Sequence, residues 1–322
     1  MVTEQKTINS AFGETSTATE VITGIDLSGK IVIVTGGHSG IGLETTKVLS
    51  DAGATIIVGA RDVAKARQKL AEIKRVSINE LDLSEPLSVD NFANEFRKSF
   101  KSCDILINNA GIMATPLLRN SLGYEMQFAT NHLGHFQLTA RLWNELRKSG
   151  ARVISLSSLG HRFSGIKFED PNFITTPYEK WTAYGQSKTA NSLFAVHLDK
   201  VGAEYGVRAF AVHPGRITST DLSRFMSDEE IAATVNSTPS NPKFVPSFVK
   251  SISQGAATTL WCATSPQLEN KGGVYCADCN ISPIVDDDSP QVNGVRRWAI
   301  YPSMAERLWT LSERLVGFEW TK

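Results

Sequence analysis

Two groups of residues in this chain of 322 residues could act together chemically: a tyrosine–lysine pair and a glycine-rich turn. Tyr184 and Lys188 stand four positions apart in a segment with helical periodicity, so their side chains point the same way. A phenol ordinarily titrates at about pH 10, and a neighbouring ammonium favours the phenolate. The pair could therefore move a proton to or from an oxygen atom of a bound molecule.

The glycine-rich segment Thr35–Gly42 follows an apolar run, Ile31–Val34, and precedes a helical pattern. Glycines let the backbone turn sharply and approach a pyrophosphate closely. The helix that follows directs free N–H groups and its positive dipole end at the anion. A glycine-rich turn without a ligand has the same spacing. The strand before it and the helix after it favour a dinucleotide site.

The end of the second apolar run bears on the choice of dinucleotide. Arg61 precedes Asp62 at the place where an acidic residue would bind the ribose hydroxyls and repel a 2′-phosphate. A guanidinium is a planar fork suited to phosphate, so the sequence predicts NADP(H) over NAD(H), with His38 and Lys65 as further phosphate partners. The alternatives are a solvated Arg61 and an Asp62 that caps the next helix.

Short runs rich in Val and Ile alternate with helical patterns from residue 31 to about residue 276. This alternation predicts an α/β fold, a doubly wound parallel sheet of the Rossmann type. We expect a polar arm over 1–29 and one domain over 30–322, with a small substrate lobe at about 216–250. A single long helix is expected over about 121–148. A late amphipathic helix is expected around 305–315.

Composition excludes several classes of protein. The 33 Lys and Arg residues balance 33 Asp and Glu residues, which gives no support for nucleic-acid binding through bulk charge. The sequence has no apolar run of the ~18 residues that a membrane span needs, and its first thirty residues resemble no targeting signal. A cytoplasmic protein is the resulting expectation. Cys276 and Cys279 lack a second ligand pair, so we expect core packing and no metal site.

Further motifs occur in a characteristic order: TGGHSGIG, Asn108-Asn109-Ala110-Gly111, Asn131, Ser157-Ser158, the tyrosine–lysine pair and His213-Pro214-Gly215. Over residues 30 to about 280 the chain resembles the short-chain dehydrogenase/reductase family. The segments GARD, NHLGHFQLT, LSSLGHRF and VHPG are most similar to the branch that contains retinol dehydrogenases and WW-domain oxidoreductases.

The resemblance implies a role for each matching residue. Tyr184 is the general acid/base, and Lys188 lowers its pKa and holds the nicotinamide ribose. Ser158 binds the substrate oxygen, in preference to its neighbour Ser157, and Asn131 supports a proton relay. The implied cofactor contacts are Gly36, His38, Ser39, Gly40, Ile41, Gly42, Arg61, Asp62, Asp82, Leu83, Asn109, Ala110, Gly111, Tyr184, Lys188, Pro214, Gly215, Ile217 and Ser219.

The expected function is NADP(H)-dependent interconversion of a carbonyl compound and an alcohol, with hydride transfer to or from carbon. Two alternatives stay open: a dinucleotide-sensing interaction protein on the same fold, and a reductase of an activated C=C bond. We expect a small, hydrophobic substrate and a homo-oligomer, with no nucleic-acid partner.

The gap between Ser158 and Tyr184 is about twice that of short family members. The extra residues, roughly 161–181, include several aromatic side chains. They are either a loop beside the substrate entrance or a packed surface excursion.

Overall fold

The computed structural model describes residues 3–235, 248–289, 291 and 293–320. Its strands are β1 (Ile31–Thr35), β2 (Thr55–Ala60), β3 (Val76–Glu80), β4 (Ile105–Asn108), β5 (Arg152–Leu156), β6 (Arg208–His213), β7 (Val274–Ala277), β8 (Asn280–Ile281), β9 (Ile284–Val285) and β10 (Val295–Arg296). Its α-helices are α1 (Ala18–Ile22), α2 (Gly40–Asp51), α3 (Val63–Leu70), α4 (Pro86–Ser99), α5 (Met126–Phe128), α6 (Gly134–Arg141), α7 (Trp143–Ser149), α8 (Lys180–Gly202), α9 (Asp228–Val235), α10 (Ile252–Thr264) and α11 (Pro302–Val316).

The main sheet has the strand order β3-β2-β1-β4-β5-β6-β7-β8. Strands β1 to β7 pair in parallel, which confirms the predicted doubly wound Rossmann-type fold. The sequence analysis predicted no strand after β7, and the additional edge strand β8 is antiparallel to β7 across a two-residue turn. The chain order reverses between β1 and β4, and crevices at such switch points are where open α/β sheets bind ligands.

Helices cover both faces of the sheet, and this explains the apolar character of its strands. One face packs mainly against α1, α2 and α10, and the other against α4, α6, α8 and α11. Capping residues fix several helix ends. For example, Ser251 and Gln254 form a capping box at the start of α10, and Gly317 adopts a left-handed conformation after α11.

The single helix expected over 121–148 is instead a broken series. α5 runs into a π-helical turn, Ala129–Leu133, and α6 and α7 follow, with a break at Leu142. A π-helical turn holds one more residue than an α-helical turn, so it shifts the phase of the side chains that follow. Hydrophobic periodicity alone does not reveal such a shift.

The expected polar arm is docked on the protein's own sheet. Gln5 bonds to the backbone of Tyr275 and Ser282, and Asn280 bonds to the backbone of Ile8. The arm also contains α1, in which Ala18 is fully buried. The first thirty residues therefore contribute to the core, although their composition is polar.

Two sequence expectations concern the later part of the chain. The helix expected around 305–315 is α11, whose apolar face packs on α8. The expected lobe over 216–250 is only partly visible: it includes α9, and its residues 236–247 lie outside the described residues. Within the described ranges, each helix is too short or too polar to cross a bilayer.

Candidate active site

Tyr184 and Lys188 lie one turn apart near the start of α8. Glu179 caps this helix by accepting hydrogen bonds from the backbone N–H groups of Trp181 and Thr182. The side chains of the pair share a face, as the spacing predicts: Lys188 Nζ lies 5.6 Å from the centroid of the Tyr184 ring. Lys188 Nζ also donates a hydrogen bond of 3.0 Å to the carbonyl oxygen of Leu156, at the end of β5. The helix and the strand together fix the position of the ammonium.

Burial sets the protonation of both groups. Tyr184 is 4% exposed and Lys188 is 5% exposed. Desolvation raises the pKa of Tyr184 to about 12, against a lowering effect of its hydrogen bond with Ser158. Desolvation lowers the pKa of Lys188 to about 8. Tyr184 is therefore a neutral phenol at pH 7 in this structure, and the expectation that Lys188 lowers its pKa stays a prediction.

The two adjacent serines have different surroundings. Ser157 Oγ donates to the carbonyl oxygen of Lys188 at 2.8 Å and accepts from Ser192, so it joins β5 to α8. Ser158 begins a short 3-10 turn, and its hydroxyl accepts from the N–H of Gly160 at 3.0 Å. The same hydroxyl is the hydrogen-bond partner of Tyr184. The structure therefore brings Ser158, and not Ser157, to the tyrosine hydroxyl.

Asn131 lies in the π-helical turn and is fully buried. Its Oδ1 accepts from the N–H of Ile112 at 2.9 Å, and its Nδ2 donates to the carbonyl oxygen of Ile112 and to Ser187 Oγ, each at 2.9 Å. Ser187 precedes Lys188 on α8. Asn131 thus ties the loop after β4 to α8, one residue before Lys188.

The glycine-rich turn between β1 and α2 forms a shallow cradle. A Cβ at Gly42 would lie 2.5 Å from Asn109 Nδ2 and 2.5 Å from the carbonyl oxygen of Gly36, so no side chain fits there. Gly36 and Gly40 both have positive φ angles. The cap residue Ser39 makes no side-chain hydrogen bond to the helix, which leaves the first N–H groups of α2 available for an anion.

The loop after β4 closes the other side of the cradle. Thr35 Oγ1 accepts from the N–H groups of Asn109 and Ala110, each at 2.9 Å, and Asn109 Nδ2 donates to the carbonyl oxygen of Thr35. A Cβ at Gly111 would lie 3.2 Å from Asn131 Oδ1 and 3.5 Å from Lys188 Nζ. The absence of a side chain at Gly111 keeps the space between the cradle and the lysine open.

The residues at the end of β2 separate into two roles. Asp62 Oδ1 accepts from the N–H of Lys65 at 2.9 Å and caps α3, whereas Arg61 is exposed. His38 Nδ1 is buried without a hydrogen-bond partner among the described residues. Burial lowers the pKa of the Arg224 guanidinium, and the nearby positive charge of Arg61 lowers it further. Cationic side chains therefore surround the end of β2.

The remaining predicted contacts lie on neighbouring loops. Asp82 turns its carboxylate to Ser84, and Leu83 is buried under the loop after β3. Ile217 packs against Gly255 and lies beside Ile41, while Ser219 is exposed. Pro214 and Gly215 follow directly after β6. All of these residues follow the carboxyl end of a strand in the sheet.

An apolar wall stands beside Tyr184. It consists of Met113, Ala114, Phe163, Trp181 and Met226, and the ring of Trp181 meets the Tyr184 ring at a centroid distance of 6.3 Å. The inserted segment 161–181 therefore fits both sequence interpretations. Phe163 and Trp181 line the site, whereas Phe173 is packed away from solvent and held by Arg119 through its backbone.

Sequence reasoning missed several polar residues near the site. Arg216, Tyr275 and Lys250 border a cavity at the carboxyl ends of β6 and β7. No local motif identifies them, and the sequence around Tyr275 indicates only a buried strand. The two cysteines of the Cys-x-x-Cys pair are free and fully buried, in agreement with the core packing expected of them.

The doubly wound sheet and the glycine-rich turn after its first strand are typical of α/β proteins that bind a dinucleotide. The family model for short chain dehydrogenase matches residues 30–231. A probable oxidoreductase from Streptomyces lividans is 41% identical over 293 residues, which cover 88% of this chain and 97% of that protein. Retinol dehydrogenase 12 from Mus musculus is 37% identical over 309 residues, covering 92% and 90% of the two chains.

A crystal structure of an uncharacterized protein from Mycobacterium Paratuberculosis is similar with a TM-score of 0.71 and 31% identity, covering 94% of this chain and 98% of that one. The chain belongs to the short-chain dehydrogenase/reductase family and is an oxidoreductase. Family membership implies a nicotinamide dinucleotide cofactor. The resemblance to retinol dehydrogenases is confirmed.

Proposed function

We propose that this protein interconverts a carbonyl compound and an alcohol with NADP(H) as the hydride carrier. One observation carries the proposal: the neutral phenol of Tyr184 is buried against the Ser158 hydroxyl, with the Lys188 ammonium one helical turn away. A hydroxyl pair of this kind can hold a carbonyl oxygen, and one member can give it a proton.

In the reductive direction, the hydroxyls of Ser158 and Tyr184 donate hydrogen bonds to the carbonyl oxygen of the substrate. The bound cofactor supplies the hydride to the carbonyl carbon. Negative charge develops on the oxygen, and donors fixed in advance stabilise it where it forms. Tyr184 then transfers its proton to that oxygen, and the Lys188 ammonium stabilises the phenolate that remains. In the oxidative direction the phenolate takes the proton back.

The residues at the cradle fit a dinucleotide. The tight turn that Gly36 and Gly42 allow would bring a pyrophosphate close to the backbone, next to the free N–H groups of α2. Lys188 and the backbone of Pro214-Gly215 would hold the nicotinamide end. Asp82, Leu83 and the Asn109–Gly111 loop would hold the adenosine end.

The preference for NADP(H) rests on the end of β2. The Asp62 carboxylate is engaged in capping α3, so it is not free to bind ribose hydroxyls. Arg61 remains exposed, and His38, close enough to Lys65 to interact with its charge, has an Nδ1 that is buried and unpaired within the described chain. A 2′-phosphate would gain charge-assisted bonds from these groups.

The apolar wall beside Tyr184 supports a substrate with a hydrophobic part next to the carbonyl group. Met113, Phe163 and Trp181 offer apolar and aromatic surface there, and an aromatic surface of this kind favours apolar groups over water. Met226, in the described part of the predicted lobe over 216–250, contributes to this wall.

The test is a comparison of Tyr184→Phe with wild type. Removal of the hydroxyl should lower turnover by about a hundred- to ten-thousandfold, because the proton donor is lost. The affinity for NADPH, followed by its fluorescence, should be unchanged. Tyr205→Phe is the matched control: Tyr205 lies at the far end of α8, packed against Trp143. Undiminished turnover in the Tyr184→Phe protein would refute the assigned role.

A further inference from the structure

A cavity of about 200 Å³ lies at the carboxyl ends of β6 and β7. Leu159, the neighbour of Ser158, lines it, and so do His213 and Gly215 at the end of β6. Tyr275, which also lines it, lies near enough to Tyr184 for the two phenols to interact electrostatically, so the cavity adjoins the reacting centre. A substrate bound at Tyr184 could extend into it.

Two polar groups of the lining have no partner among the described residues. Tyr275 is 1% exposed, and its hydroxyl makes no hydrogen bond there. Arg216 is half-buried, and its Nη2 is fully enclosed and unpaired. The next residue, Ile217, packs toward Gly255 and Ile41, so Arg216 faces the opposite side, into the cavity. Enclosed donors without partners are costly unless a ligand meets them.

The other charged groups of the lining compensate one another. Lys250 is 4% exposed, and its Nζ lies 2.5 Å from Asp278 Oδ1. Its aliphatic chain crosses Gly215, where a Cβ would lie 2.5 Å from Lys250 Cδ. Burial lowers the pKa of His213 to about 4, so this imidazole is neutral at pH 7. Glu14 lies at the rim and is exposed to solvent.

Within the described lining, Arg216 is thus a half-buried cation whose enclosed Nη2 has no partner. We propose that the cavity binds a carboxylate of the substrate, held by Arg216 Nη2 and by the Tyr275 hydroxyl. This inference rests on the proposed function and narrows it: the substrate is a carbonyl or alcohol compound with an acid group away from the reacting carbon. Hydrogen bonds from a guanidinium to a carboxylate are among the strongest in proteins.

The test compares short oxo acids with their methyl esters. The substrates are acetoacetate, levulinate and the methyl ester of each. They are assayed with wild type, Arg216→Leu, Tyr275→Phe and the control Arg314→Gln, whose arginine is exposed on α11. Wild type and Arg314→Gln should favour at least one acid over its ester in kcat/KM by about tenfold or more. Arg216→Leu should abolish that preference, and Tyr275→Phe, which removes a single oxygen atom, should reduce it.

A second readout does not depend on turnover. Calorimetric titration of the Tyr184→Phe protein, loaded with NADPH, measures binding of the same acids and esters. Tighter binding of an acid than of its ester, lost with Arg216→Leu, supports the cavity assignment. Because this measurement needs no reduction of a carbonyl compound, it tests the cavity separately from the proposed function. Equal binding of acid and ester overturns the assignment. So does an Arg216→Leu protein whose affinity for NADPH alone is reduced, since Arg216 would then serve the cofactor.

Discussion

Tyr184 and Lys188 are both enclosed by protein, and burial disfavours the charged form of each. The phenol therefore stays protonated over the whole neutral range, whereas half of the Lys188 side chains have lost their proton at about pH 8. A protonated tyrosine is ready to act as an acid, which suits reduction. The charge on the lysine is the part of the site that is sensitive to pH.

We predict that kcat/KM for carbonyl reduction falls as the pH rises through about 8. Deprotonation of Lys188, whose folded pKa is about 8, removes the positive charge that stabilises the Tyr184 phenolate. The measurement is a pH–rate profile from pH 6 to pH 10 with NADPH saturating at each pH. A rate that is constant up to pH 10 would contradict the assigned role of Lys188.

The same shift predicts a change of stability with pH. The pKa of Lys188 is about 8 in the folded chain and 10.5 for an unperturbed lysine, so between these values the unfolded chain binds more protons. Its contribution to the free energy of unfolding therefore rises with pH in this window. The free energy of unfolding is measured in urea for wild type and Lys188→Met at several pH values. The difference between the two proteins at each pH isolates the contribution of Lys188. A difference that stays constant from pH 8 to pH 10 would show that the pKa is not lowered.

At the scale of elements, the end of β2 combines the helix cap Asp62 with Arg61, for which we propose the phosphate contact. Asp62→Ala should lower the free energy of unfolding by about 1 kcal/mol, because α3 loses its side-chain cap. Arg61→Ala should leave stability nearly unchanged and should shift the preference from NADPH toward NADH by about tenfold. Chemical denaturation and kcat/KM for the two cofactors measure both effects. If Asp62→Ala lost the preference for NADPH and Arg61→Ala kept it, the assignments of Arg61 and Asp62 would be reversed.

Local patterns were sufficient to predict the strands and the tyrosine–lysine pair, because parallel strands are buried on both faces and the pair needs only four-residue spacing. They were insufficient for the segment around Asn131. There a π-helical turn and the break at Leu142 replace one long helix, and the tertiary contacts of Asn131 to Ile112 and Ser187 hold the π-helical turn in place. Arg216 and Tyr275 were missed for a similar reason, since only the fold places the loop after β6 and strand β7 at one cavity.

At the scale of the whole molecule, the N-terminal arm closes the edge of the sheet beside the substrate cavity. The Gln5 amide donates to the carbonyl oxygens of Tyr275 and Ser282, at 2.8 Å and 2.7 Å, and accepts from the N–H of Tyr275 at 2.9 Å. Thr7 and Glu14 of the arm line the cavity. The arm is therefore coupled to the strand that carries Tyr275.

We predict that Gln5→Ala lowers the free energy of unfolding by about 1–3 kcal/mol, because backbone groups of β7 lose their partners. Gln68→Ala, at an exposed position of α3, is the matched control and should change stability by only a few tenths of a kcal/mol. Urea denaturation monitored by circular dichroism measures both. Equal effects of the two substitutions would show that the arm does not stabilise the sheet.

The most direct test of the account is cofactor consumption by the purified protein. NADPH or NADH is mixed with the protein and a panel of aldehydes and ketones, absorbance is followed, and the products are identified. We predict that NADPH is oxidised faster than NADH and that the product is the corresponding alcohol. Tight binding of NADPH without consumption by any carbonyl compound would contradict the account and favour a dinucleotide-sensing protein on this fold.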